Sequence, residues 1–168
     1  MVPDNTDQRG ESWELGLQGY YDAAFELLEK ILRRAPTDLV TLRMKGNLLE
    51  LKSLDLMESS SKKLLSSEDY LLARKCYEQI LVIDPHNIVA LMDLGDHYKN
   101  LGANDKALAY YHQAADILEE GESCPSRREH VRELLRRSDE LAKIDRVQSA
   151  ACRLEAQCRR ILGNIPAV

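Results

Sequence analysis

Four imidazoles (His86, His97, His112 and His130) and four thiols (Cys76, Cys124, Cys152 and Cys158) are this chain's complement of nucleophiles and soft metal ligands. Imidazole is the group best matched to proton transfer near neutral pH, and it is a common metal ligand. His97 and His112 fall on the two facing helices of one expected hairpin, with Asp93 and Asp96 close by in sequence. Such a set could hold a divalent ion or relay a proton. The patterns that normally accompany that chemistry are missing. There is no His-Glu-x-x-His, no glycine-rich phosphate loop and no nucleophile elbow. His112 adjoins Tyr111, a residue of the expected core, so surface and half-buried histidines account for the pattern better than a catalytic pair. The cysteines lack C-x-x-C spacing, and Cys152 and Cys158 fall on different faces of an expected helix. Cys76 reads as a small buried hydrophobe. No catalytic residue, metal ligand or cofactor is assigned; a metal-dependent enzyme is kept as the remote alternative. Thiols without metal spacing fit a reducing, cytoplasmic setting.

The elements that must position any site are helices. Leu91, Leu94, Gly95 and Tyr98 share one helical face. After a break at Leu101-Gly102-Ala103-Asn104, residues Ala107, Tyr111 and Ala114 share another. Ala73, Tyr77 and Ile80, ahead of Asp84-Pro85, lie 34 positions upstream of that trio. A third copy, Ala24, Leu28 and Ile31, ends at Ala35-Pro36. Large residues set against small ones at these offsets suit closely packed antiparallel helices. The 34-residue period with this pattern resembles the tetratricopeptide repeat (TPR) family over residues 13–120, most fully across 86–118.

That resemblance implies an all-α fold: a right-handed superhelical stack of antiparallel helix pairs, a TPR-like α-solenoid. Three units are expected over residues 13–121, after a flexible segment 1–12. Gly19 is placed to take a positive φ after the first helix, and Trp13 to pack over the end of the stack. Thr37-Asp38 and Asn87 are candidate helix N-caps. Pro36 and Pro85 are 49 apart, which leaves 15 residues more than one period. The surplus falls near 53–67, expected as a helix extension followed by a serine-rich loop. From Ser126 to Leu162 neither Gly nor Pro interrupts the apolar spacing. Residues 122–168 are therefore expected as a long C-terminal helical segment that caps the stack or protrudes from it, either as one helix or folded back near Ser138 or Asp145.

Bulk composition agrees with this and narrows the function. A chain of 168 residues with 44% hydrophobic and 30% charged content is an ordinary soluble domain, not a disordered one. Net charge is -5, so nucleic acid is not expected as a partner. No apolar run approaches the ~20 residues that span a bilayer, and no secretory signal is visible at the N-terminus. The charge is uneven. Residues 1–121 carry 13 Lys and Arg against 21 Asp and Glu, whereas residues 122–168 carry 10 against 7.

In a TPR stack the first helix of each pair lines the concave face. By that register the groove residues are Val40, Arg43, Met44 and Asn47 in one unit, and Val89, Met92, Asp96, Lys99 and Asn100 in the next. Some TPR domains grip a terminal carboxylate with Lys, Asn and Arg from successive repeats. Arg43 and Asn47 lie where two such residues would, but Asp93 and Asp96 would repel a carboxylate, so that clamp is not implied. The expected function is a non-catalytic scaffold or adaptor that holds a peptide or helix of a partner protein, with Met44, Met92, Arg43 and Asn47 making the main contacts. The alternatives are a secretion-type or co-chaperone-like TPR chaperone, and a scaffold that self-associates through residues 126–162.

Overall fold

The computed structural model describes residues 6–55, 67–121, 126–144 and 147–164. Among them are eight α-helices and no strand. The chain divides at Pro85 into two units, Met1–Pro85 and His86–Val168.

The first unit holds α1 (Thr6–Leu17), α2 (Tyr21–Arg34), α3 (Leu39–Asp55) and α4 (Glu68–Ile83), paired as α1 with α2 and α3 with α4. The segment expected to be flexible is helical from Thr6 onward, because tertiary contacts hold it. Ser12 is fully buried and its Oγ donates to the Ala24 carbonyl at 2.9 Å. Arg9 reaches Asp38 at 3.0 Å. Gly19 takes φ +84°. Its N–H donates to the Gly16 carbonyl at 3.0 Å, and the Tyr20 N–H donates to the Leu15 carbonyl at 2.9 Å. That pair of bonds closes the helix end on a left-handed residue, which glycine adopts without steric cost.

Asp38 caps α3 by accepting from the Thr41 N–H at 3.1 Å. Ala24, Leu28 and Leu48 form a core at 0% exposure, with Leu15, Phe25, Met44 and Leu51 packed around it. Each fully buried leucine there contributes about 1.5–3 kcal/mol. α3 continues to Asp55, as the helix-extension reading of the insert requires, whereas 56–66 lie outside the described residues. The two sides of this stretch are tied together. The Ser53 and Ser67 hydroxyls are hydrogen-bonded at 3.1 Å, and Lys52 pairs with Asp69 at 3.0 Å. Ser67 also caps α4 by accepting from the Tyr70 N–H at 3.3 Å.

The second unit holds α5 (Ile88–Asn100), α6 (Asn104–Glu120), α7 (Arg127–Ala142) and α8 (Gln148–Asn164). Asn87 caps α5 through the Ala90 N–H at 3.0 Å. The α5–α6 turn repeats the α1–α2 turn, with Gly102 at φ +72°. Of the two readings of the C-terminal segment, one helix or a fold-back, it is the fold-back that forms: α7 packs against α8 as a helix pair. No glycine is needed for the reversal. Lys143 stays in the right-handed region, and Ile144 N–H and Val147 N–H donate to the Leu141 and Ile144 carbonyls, each at 3.0 Å. Val131, Leu134 and Leu141 of α7, Val147 just ahead of α8, and Ala151, Leu154, Cys158 and Ile161 of α8 are all nearly or wholly buried. Among the described residues there are thus three helix pairs up to Gly121 and a fourth after it.

One small residue marks the close approach in every pair. In the first and last pairs along the chain it is serine, Ser12 donating to Ala24 and Ser138 Oγ donating to the Ala151 carbonyl at 2.6 Å. In the inner pairs it is glycine beneath a tyrosine ring. A Cβ on Gly46 would lie 2.5 Å from Tyr77 Cε1, and one on Gly95 would lie 2.8 Å from Tyr111 Cζ and nearer still to Cε1.

Candidate functional site

The two inner tyrosines organise the polar side of their units. Tyr77 is fully buried, and its hydroxyl donates to Asn47 Oδ1 at 2.9 Å. Tyr111, equally buried, donates to Asp96 Oδ1 at 2.6 Å. Asn47 and Asp96 directly follow Gly46 and Gly95, so the ring that fills each glycine notch delivers its hydroxyl to the next side chain. Burial, and then the Asp96 charge, push the Tyr111 hydroxyl well above the usual phenol range. It stays a donor at any physiological pH.

In the first unit the surface above this arrangement is concave. Trp13 of α1 and Val40, Arg43, Met44 and Asn47 of α3 line a depression of ≈ 270 Å³. All four groove residues expected on α3 are therefore brought together. Trp13 joins them at 36% exposure, and Val40 is 57% exposed. Trp13 was legible as an end-packing residue but not as a wall of this pocket, because its partner Val40 lies 27 positions away. The walls are indole, valine and methionine. Asn47 engages its carbonyl oxygen with Tyr77, which directs its amide N–H groups elsewhere, and guanidinium has donors only. The polar edge of the pocket thus favours hydrogen-bond acceptors.

In the second unit the expected groove residues meet a different fate. Met92 is only 5% exposed and belongs to the core, a correction to its expected place as a contact residue. Helical period alone could not separate the two sides of a helix whose Ala90, Leu91, Met92, Leu94 and Gly95 are all buried. Val89 is half-buried and Asn100 is exposed. Asp96 and Lys99 are engaged by α7. Arg137 Nε lies 3.0 Å from each Asp96 carboxylate oxygen, and a second guanidinium nitrogen lies 2.7 Å from Oδ2. Lys99 Nζ sits 2.8 Å from Glu140. Arg136 joins Glu133 to Glu140, and Glu133 also pairs with Arg137 at 2.5 Å. Hydrogen bonding to Lys99 holds the Glu140 carboxyl below its ordinary range, and Arg136 does the same for Glu133.

His97 is fully buried, edge-on to Tyr98 at 5.7 Å, and His112 Nδ1 meets Gln157 at 3.3 Å. Among the described residues no three His, Cys, Asp or Glu side chains converge as metal ligands would. Nor is any described helix long and apolar enough to cross a membrane.

Helix pairs with a small residue at each close approach define an all-α, TPR-like fold, and a solved structure agrees. The chain is similar to the Sgt2 TPR domain from Aspergillus fumigatus, with 18% identity and a TM-score of 0.53 over 84% of this chain and 82% of that one. A looser likeness, at 15% identity and a TM-score of 0.43, extends to MamA, covering 98% of this chain and 97% of that one. No protein-family model and no curated protein matches the sequence.

Proposed function

We propose that this chain is a non-catalytic protein-interaction module, and that its binding site is the pocket of the first unit. A short extended or helical segment of a partner protein seats an apolar side chain against Trp13, Val40 and Met44. Arg43 and the Asn47 amide then donate to its backbone carbonyls or acidic groups. The observation that carries this reading is the convergence of an exposed indole with four α3 side chains around ≈ 270 Å³ of open, mainly apolar space. Trp and Arg are the residue types that most often dominate binding energy when they sit beside a pocket. The TPR-like fold supports a scaffold role, and three unbridged thiols among the described residues, Cys76, Cys152 and Cys158, accord with a reducing cytoplasmic setting. Val89, Lys99 and Asn100 remain a secondary contact surface in this proposal.

Trp13 is the only tryptophan in the chain, so it reports on its own pocket. Peptides selected from a random display library against the intact protein should shift Trp13 emission to the blue as they bind. Val40→Glu, a change at a 57% exposed position, should weaken them by about tenfold or more while leaving the circular dichroism unaltered. Selected peptides that leave Trp13 emission unmoved and tolerate Val40→Glu would place recognition elsewhere.

A further inference from the structure

The side chain that follows each notch glycine is addressed by a tyrosine hydroxyl, and the second unit holds a completed version of that arrangement. Tyr111 donates to Asp96 Oδ1 at 2.6 Å. The Arg137 guanidinium takes what remains of the carboxylate, with Nε 3.0 Å from both oxygens and a terminal nitrogen 2.7 Å from Oδ2. An ionised carboxylate only accepts, so the position selects donors, and a cation fills it.

In the first unit Asn47 stands at the same place after Gly46, and Tyr77 donates to its Oδ1 at 2.9 Å. An amide has two unlike ends, and what holds one end decides which chemistry the other presents. Tyr77 is fixed firmly enough to decide it. Its ring is fully buried, and it fills the Gly46 notch so closely that a Cβ there would lie 2.5 Å from Cε1. With the carbonyl oxygen taken, the N–H groups of Asn47 are the end left for the pocket that Asn47 lines. Arg43 lines the same pocket one helical turn earlier, so a charged donor and a neutral donor stand side by side.

We propose that Tyr77 is the positioning residue for the selectivity of this pocket. By fixing the Asn47 amide, it makes the pocket choose a partner segment with Asp or Glu beside its apolar anchor and refuse one with Lys or Arg there. This selectivity rests on the pocket being the binding site. Tyr77 touches no ligand, because it is fully buried and is not among the pocket's walls. A carboxylate has two like ends. With Asn47→Asp, one oxygen keeps the Tyr77 hydroxyl and the other faces the pocket, as Asp96 faces Arg137. The choice then turns from acid to base, and the tyrosine hydroxyl no longer matters to it.

Peptide display against the full-length chain tests this as a cycle of substitutions. Arg43→Gln is present throughout, so that a fixed charge does not mask the amide. Each protein is panned with one library, random residues on either side of a fixed leucine. With Arg43→Gln alone, recovered peptides should carry Asp and Glu over Lys and Arg by about tenfold. Adding Tyr77→Phe should abolish that excess, and adding Asn47→Asp should reverse it. Adding both should leave the reversed excess as it stands with Asn47→Asp. A hydroxyl that merely supported the fold would act alike in both backgrounds. Circular dichroism checks folding, and the reversal by Asn47→Asp does not depend on Tyr77→Phe being folded. Peptides that leave Trp13 emission unmoved overturn the pocket reading, and this one with it. Peptides that shift Trp13 emission yet keep one charge preference through Asn47→Asp and Tyr77→Phe overturn the role of Tyr77 and leave the pocket standing.

Discussion

Replacing Gly95 by alanine adds one methyl group where the fold has no room for it. The new Cβ would lie 2.8 Å from Tyr111 Cζ and nearer to the ring edge, closer than real Cβ contacts allow. The ring cannot step aside easily, because Tyr111 is fully buried and its hydroxyl is anchored on Asp96 at 2.6 Å. Alanine raises helix propensity by about 1 kcal/mol. Against that stand about 1–3 kcal/mol of overpacking and about 1.5–3 kcal/mol if the hydrogen bond to the charged carboxylate breaks. The balance is a net loss of about 1.5–5 kcal/mol, a fall in melting temperature of roughly 3–20 °C for a chain this size. Gly10→Ala is the internal control. It sits within α1 with nothing inside 4 Å of the added Cβ, so only the propensity gain remains, about 0.5–1 kcal/mol of stabilisation. Urea denaturation followed by circular dichroism measures both. The two substitutions are chemically identical and must move the midpoint in opposite directions. Equal shifts, or a neutral Gly95→Ala, would refute the placement of the tyrosine ring against glycine.

Arg137→Ala strands a partly buried Asp96 and should cost about 2–3 kcal/mol by the same assay, whereas Arg137→Lys keeps the charge, loses the two-pronged contact and should cost less. Glu140 and Glu133 have folded-state pKa values below the ordinary 4.5, so their contribution is complete above that pH and disappears as pH falls through the lowered values. The melting temperature should therefore hold level down to about pH 5 and drop below it, and Glu140→Gln should flatten the drop. Cys152 is exposed, whereas burial pushes the Cys158 thiol up to about 11 and raises that of Cys76 as well. Peptide mapping after brief alkylation should find Cys152 modified well before either of the other two.

The inner helix pairs were legible because glycine, tyrosine and alanine recur at a fixed period, and each of those residue types has a geometric reason to stand where it does. Gly19, Asp38 and Asn87 were legible for the same reason, since caps and left-handed turns demand particular side chains. The fourth pair stayed open between one helix and a fold-back, because substitutions there preserve the packing but erase the pattern. Ser138 stands where the inner pairs have glycine, no tyrosine covers it, and the α7–α8 reversal uses Lys143 and Ile144 in place of a glycine turn. Half of the candidate site was legible. Val40, Arg43, Met44 and Asn47 were expected from the register that the TPR resemblance implies, but a register cannot report what a later helix brings. Arg137 comes from 41 positions beyond Asp96 to occupy it, and Trp13 joins Val40 across the first helix pair.

The hydroxyl link between Ser53 and Ser67, with Lys52 and Asp69 beside it, gives the first unit a natural splice point. Both borders are fastened to the helices that carry them, so the number of residues between them does not set the register of α3 on α4. Doubling the length of such a closed link costs only about 0.6 kcal/mol. A fluorescent tag or an affinity epitope inserted there should leave Tyr77 on Gly46 and the pocket intact, which would give the protein a handle far from either chain end.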